Sequence, residues 1–336
     1  MGAPDLSLVW AAVILFGVVM YVILDGFDLG VGILFPFAPD ERSRDVMMNA
    51  VAPFWDGNET WLVLGGVSLF VAFPVAYAEL LSHLYLPVVV FLIGLVFRGV
   101  AFEFRGKADS SKALWSAAFA GGSWTAAFSH GLILGTVIQG LPFGPDGRPL
   151  ADPLVWATPF SLFVGLAVVA GYALLGASWL ASRVEGGLLR WLVRIGPVLV
   201  MLVLAAILVV SIWTPLTHPA IAERWFSLPQ LVILMPVPVV TAGLGLALLL
   251  AFTRGWVRAA FPLTVGLFLL ALGGVVISLW PYAVPYGITI AEAASRPQTQ
   301  AFMLVGVLLF LPLVLGYTFY VYRVFRGRVS AEEKRY

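Results

Sequence analysis

The chain contains no cysteine. Disulfides, thiolate metal sites and cysteine nucleophiles are therefore excluded. Histidine is scarce too, with His83, His130 and His218 alone in 336 residues. Charged residues make up only 11% and the net charge is +1, which gives no footprint for nucleic acid. No H-E-x-x-H, P-loop or Rossmann glycine pattern occurs. No basic region precedes the first apolar run, and no A-x-A cleavage site is evident, so that run reads as a retained span and not as a signal peptide.

What fills the chain instead is apolar: 61% of residues are hydrophobic. A hydrocarbon core about 30 Å thick takes about 20 apolar residues per helix. Nine stretches qualify, at 8–35, 56–77, 80–103, 113–138, 156–181, 191–213, 229–252, 260–280 and 300–322. Leu, Val and Ala run unbroken over 199–210, which excludes the two-residue alternation of a β-barrel. Loops are short, so one transmembrane domain over 1–336 is expected: a polar-cored part over 1–143, an apolar part over 150–282, and a last helix with a basic tail over 298–336.

Lysine and arginine orient the spans. Fifteen fall on one side, among them Arg42, Arg44, Arg105, Lys107, Lys112, Arg183, Arg190, Arg194, Arg254, Arg258, Lys334 and Arg335. Arg148, Arg224 and Arg296 fall on the other, and Arg98 lies within a span. The positive-inside rule then predicts an external N-terminus and a cytoplasmic C-terminus, consistent with an odd number of helices. Trp10, Trp156, Trp179, Trp191, Trp213 and Trp280 lie near span ends, as an interfacial belt requires.

Against this background five acids stand out: Asp25, Asp28, Asp56, Glu59 and Glu103. A carboxylate in hydrocarbon costs roughly 2.5–3.5 kcal/mol on insertion scales. The predicted orientation puts all five, with Arg98, at a similar depth on the cytoplasmic side. Asp25 and Asp28 are three residues apart, as are Asp56 and Glu59, which places each pair on one helical face. One arginine cannot neutralise five carboxylates, so some must be protonated, solvated or paired outside the chain. Groups in that state can relay protons. The competing reading is structural. Asp56 and Glu59 suit the N-terminal end of a helix, Glu103 sits near the interface, and Arg98 is most simply a counter-ion. Gly26 and Gly30 make a small-xxx-small pattern that favours close helix approach. Gly65, Gly66, Pro74 and Pro87 are expected to bend or pack spans two and three.

Haem ligation by two histidines needs a facing pair at matched depth. His83 and His130 are the only candidates, and a satisfied polar histidine is the simpler reading of each. No cofactor or metal is expected to be ligated by this chain alone. Spans five to eight are almost purely apolar, which suits scaffolding, lipid contact or passage of a small nonpolar molecule.

Four runs resemble one family. Asp25-Gly26-Phe27-Asp28-Leu29-Gly30-Val31-Gly32 is similar to the D-G-F-D-x-G-x-G signature of subunit II of cytochrome bd-type quinol oxidases. The run from Asn49 to Leu62, with Trp55-Asp56-Gly57-Asn58-Glu59-Thr60-Trp61 at its centre, resembles that family's W-D-G-N-x-x-W signature. Phe97-Arg98-Gly99-Val100-Ala101-Phe102-Glu103-Phe104-Arg105 and Gln139-Gly140-Leu141-Pro142-Phe143 match in order and spacing. Arg44-Asp45-Val46-Met47-Met48-Asn49, with Glu59, is similar to the cyanide-insensitive branch.

The resemblance implies an all-α inner-membrane protein of nine helices, as two four-helix bundles plus a peripheral helix. It implies an obligate partner, subunit I, which carries the haems (b-type and d-type, or all b-type) and the quinol site. The complex would oxidise quinol and reduce dioxygen to water with cytoplasmic protons; the resemblance leaves open a small accessory subunit and a quinone or lipid bound to the complex. It further implies that Asp56 lies on the proton route, with Asp25 and Asp28 behind it; Glu59 and Glu103 are candidates for the same route. Trp61 and Asn58 would lie at the subunit interface or on an oxygen route. Two rivals remain: a purely structural partner subunit, and a proton-coupled secondary transporter, whose paired interruptions in both halves are not seen here.

Overall fold

The computed structural model describes residues 5–108, 110–145, 150 and 152–329. Arg148, Lys334 and Arg335, used above for orientation, lie outside the described residues. The fold is helical throughout, apart from one two-stranded hairpin of β1 (Tyr282–Val284) and β2 (Ile288–Thr289) among the described residues. The long helices are α1 (Leu6–Leu34), α3 (Trp55–Ala72), α4 (Pro74–Arg105), α5 (Lys112–Gln139), α6 (Pro159–Ala181), α7 (Gly186–Thr217), α10 (Pro236–Thr253), α11 (Val257–Leu279) and α13 (Pro297–Val324). Short helices intervene: α2 (Glu41–Val51), α8 (Pro219–Phe226), α9 (Gln230–Leu234) and α12 (Ile290–Ala293).

Each of the nine apolar stretches is thus helical, and among the described residues seven helices are long and apolar enough to cross a membrane. α3 and α5 are not among those seven. α3 is short and carries Asp56 and Glu59. α5 is diluted by Ser, Thr, Gly and Lys112.

Two boundaries differ from the hydropathy reading. The break between spans two and three falls at Phe73 and Pro74, not near residues 78–79. Proline lacks an N–H and suits the first position of a helix, so Pro74 opens α4 where hydropathy alone shows no gap. The charged stretch after α1 is a helix and not a loop. Asp40 caps α2 by accepting from the Ser43 N–H at 2.7 Å, which satisfies one of the orphan donors of its first turn.

α1 is the central element, packed against α3, α5 and α6, with α13 meeting it from Trp10, at Gln300, to Phe27, at Tyr322. Its residues 25–35 are all buried. Gly26 and Gly30 let α6 approach closely: a Cβ on Gly30 would stand 1.8 Å from the Tyr172 carbonyl oxygen. Gly94 meets α5 in the same way, since a Cβ there would stand 2.8 Å from both the Ala126 nitrogen and the Gly122 carbonyl oxygen. Gly66 has open space around it and does no packing, whereas the Gly65 backbone lies against Gly17 of α1. One hydrophobic core runs without interruption from α1 through α6 to α7, α10 and α11. Two tryptophans leave the expected belt. Trp10 is fully buried and donates to the Gln300 carbonyl at 3.2 Å, and Trp179 is buried against Phe27 with ring centroids 4.1 Å apart.

Candidate functional site: a buried acid cluster between α1, α3, α4 and α13

The buried end of α1 distributes its side chains by helical phase. Gly26 and Gly30 face α6, Phe27 stacks on Trp179, and Asp25 and Asp28 turn toward α3 and α4. Arg98 of α4 meets them. Its Nη1 donates to Asp25 Oδ1 at 2.5 Å, and its Nη2 is paired with Glu59 of α3. Asp25, Asp28 and Arg98 are fully buried, while the Glu59 side chain keeps 28% exposure, so the cluster reaches the outside of the chain along α3.

Asp28 makes no ion pair of its own among the described residues. It is held by Asn58, whose Nδ2 donates to Asp28 Oδ2 at 2.7 Å and to the Leu24 carbonyl at 3.2 Å. Asn58 Oδ1 in turn accepts from the Tyr322 hydroxyl of α13 at 3.0 Å. Several buried polar atoms here have no hydrogen-bond partner among the described residues: Asp25 Oδ2, Asp28 Oδ1, Tyr21 Oη, Arg98 Nε and Trp61 Nε1. Unmet buried polar atoms are costly and commonly mark water or a mobile proton.

The structure therefore brings Asp25, Asp28, Glu59 and Arg98 together and leaves two of the five acids apart. Asp56 is exposed on the first turn of α3. Glu103 is exposed and makes only an i,i+4 pair with Lys107 at 3.4 Å. Asn58 and Trp61, expected toward a subunit interface, are interior at 1% exposure each; Trp61 packs edge-on against Phe16. The histidines do not face one another as a ligand pair. His83 bridges the Glu79 and Leu150 carbonyls, and His130 bonds the Tyr172 hydroxyl at 2.7 Å.

A second ionic site lies where the sequence shows only loop charge. Arg105 is fully buried. It donates to Asp45 at 2.8 Å, to Glu41 at 2.5 Å and to Ser116 at 2.9 Å, and sits 5.0 Å over the Phe35 ring. Lys112 closes the group at 3.1 Å from Asp45. Burial works against the Asp45 and Glu41 carboxylates. For Asp45 the hydrogen bonds from Arg105 and Lys112, and for Glu41 those from Arg44 and Lys112, outweigh it and hold both below the usual carboxylate range. The one local signal of this site is the i,i+4 spacing of Glu41 and Asp45 behind a capping Asp40.

The fold and the site define a multi-helix membrane protein with a cluster of ionisable side chains buried inside it. The chain belongs to the cytochrome bd terminal oxidase subunit II family, whose model matches residues 6–325. It is 31% identical to the cytochrome bd ubiquinol oxidase subunit 2 of Bacillus subtilis (strain 168), over 98% of this chain and 97% of that one. It is 26% identical to the cytochrome bd-I ubiquinol oxidase subunit 2 of Escherichia coli (strain K12), over 98% and 96%. A chain in the structure of bd oxidase from Geobacillus thermodenitrificans shares the fold, with a TM-score of 0.78, 17% identity, and coverage of 95% and 98%. The chain is thus subunit II of a respiratory terminal oxidase, an oxidoreductase complex, and a multi-pass protein of the bacterial inner membrane.

Proposed function

We propose that this chain, with a haem-bearing subunit I, forms a quinol:oxygen oxidoreductase, and that its acid cluster is part of a cytoplasmic proton route to the oxygen-reducing centre. The relatives named as ubiquinol oxidase subunits support ubiquinol as the reductant. Haems, of whatever type, belong to the partner, which supplies the electron chemistry. This chain's residues bind, orient and hold protons. Nine crossings in two four-helix groups plus α13, with an external N-terminus, complete the reading.

One observation carries it. Ionisable groups lead from the partly exposed Glu59 through Arg98 and Asp25 to Asp28, whose Oδ1 has no partner among the described residues, and the exposed Asp56 stands three residues before Glu59 on α3 without touching the group. Intramembrane acids are retained where they face a protein partner or water. Exposed Asp56 therefore marks the face that subunit I covers. Arg98 offsets one of the two charges at Asp25 and Glu59, while Asp28, with no ion pair of its own among the described residues, is left to gain and lose a proton.

The test is Asp56→Asn and Glu59→Gln in the assembled oxidase. Oxygen consumption with quinol should fall several-fold while haem spectra and subunit ratio stay unchanged. Wild-type turnover in both variants would leave the cluster with a structural role only.

A further inference from the structure

We propose that Tyr322 of α13 is a positioning residue for Asp28: its hydroxyl locks the Asn58 amide, so that one Asp28 oxygen is permanently occupied and the other alone exchanges a proton. The inference rests on the reading that Asp28 handles protons during turnover, and it assigns a task to the last helix.

The geometry is unbroken across three helices. Tyr322 donates to Asn58 Oδ1 at 3.0 Å, and Asn58 Nδ2 donates to Asp28 Oδ2 at 2.7 Å and to the Leu24 carbonyl at 3.2 Å. An amide has two donors on nitrogen and an acceptor oxygen. Only one orientation suits this site. A flipped Asn58 would aim its oxygen at a backbone carbonyl and a carboxylate oxygen, neither of which donates. The Leu24 carbonyl and the Asp28 carboxylate set that orientation, and the Tyr322 hydroxyl, donating to Oδ1, anchors the amide from the other side. Asp28 Oδ2 is thereby fixed as an acceptor, and Oδ1, buried and without a partner among the described residues, is the oxygen left for a proton.

Tyr322 is itself held in place. Its ring lies 4.6 Å from Phe54, 5.8 Å from Trp179 and 6.4 Å from Phe27, centroid to centroid. Arg183, from the turn after α6, sits 3.8 Å over Trp179 and 5.4 Å over Phe54, and donates to the Phe325 carbonyl at 2.5 Å. The Val329 N–H closes the clasp on the Arg183 carbonyl at 3.0 Å. α13 is otherwise a largely exposed helix, anchored at its start by Trp10 on the Gln300 carbonyl and at this end by the clasp.

The charged and titratable groups facing Asp28 are Asp25 on its own helix, Glu59 on α3, Arg98 on α4 and Tyr322 on α13. Of these, Arg98 is already engaged by Asp25 and Glu59. The Asn58 donor is thus the one close interaction that favours the ionised form of Asp28 without being shared with another acid.

The test uses infrared difference spectra of the assembled oxidase, with the Asp28 carboxyl C=O band assigned by its loss in Asp28→Asn. Tyr322→Phe should displace that band and move its pH titration upward by about half a unit to one unit, the worth of one hydrogen bond. Asn58→Ala should do the same, and the two changes should not add. A displaced band with turnover unchanged at every pH keeps the positioning role and removes Asp28 from the proton route. A band identical to wild type in Tyr322→Phe, or no protonated Asp28 band at any pH where the complex is active, overturns the proposal.

Discussion

Arg98 and Asp25 face each other across α4 and α1 at 2.5 Å, both with no side-chain exposure. Breaking a buried pair from one side strands a charge and costs roughly 3–5 kcal/mol, whereas removing both partners is often much cheaper. Arg98→Met should therefore lower the thermal midpoint of the purified complex sharply, and Asp25→Leu with Arg98→Met should recover part of the loss. Losses that simply add in the double variant would show that the two side chains do not depend on each other.

The clamp that docks α2 should be pH-dependent in a defined window. Asp45 and Glu41 are held below the ordinary carboxylate range, so their contribution is present at neutral pH and fades as pH falls below about 4. Burial opposes the charge on Lys112, but its bonds to Asp45 and Glu41 raise it, so its contribution persists until pH passes above the usual lysine range. The protection factors of the α2 amides, measured against intrinsic exchange at each pH, should fall outside that window. Arg105→Gln should lower them to the acid-side values already at pH 7; unchanged protection there would detach α2 from Arg105.

Gly30 and Gly66 make a paired comparison. A methyl at Gly30 meets the Tyr172 carbonyl oxygen at 1.8 Å, and a methyl at Gly66 meets nothing within 4 Å. Gly30→Ala must push α1 and α6 apart, at a cost of at least the ~1–3 kcal/mol typical of overpacking. Gly66→Ala should be neutral or slightly stabilising, since alanine favours helix by about 1 kcal/mol. The yield of assembled, haem-loaded complex measures both. Equal yields would mean the α1–α6 contact can open without consequence.

How much of this could be read from the chain beforehand depends on the range of each interaction. The helices long and apolar enough to cross a membrane are visible because bilayer thickness sets a length that a window of residues reveals, whereas α3 and α5, diluted by polar residues, fall short of it. The break at Phe73 and Pro74 is hidden, since hydrophobicity continues across it and only the proline marks it. Asp25, Asp28 and Arg98 stand out as charges in apolar runs. Arg105 does not, because it ends α4 among other basic residues and its burial depends on α2 folding back over it. The link from Tyr322 to Asn58 spans 264 positions, and nothing local to either residue announces it. Trp10 and Trp179 mislead for a related reason: a tryptophan near a helix end faces lipid headgroups only if no neighbouring helix claims it.

The clasp between Arg183 and the end of α13 has a consequence for biosynthesis. Phe325 and Val329 are translated long after Asp28 and Asn58, so on the ribosome the Asn58 amide that holds Asp28 waits for Tyr322. A chain released early would still insert most of its helices, yet present Asn58 unrestrained and a groove where Tyr322 belongs. The network around Asn58 is therefore completed only when the tail of the chain has been made.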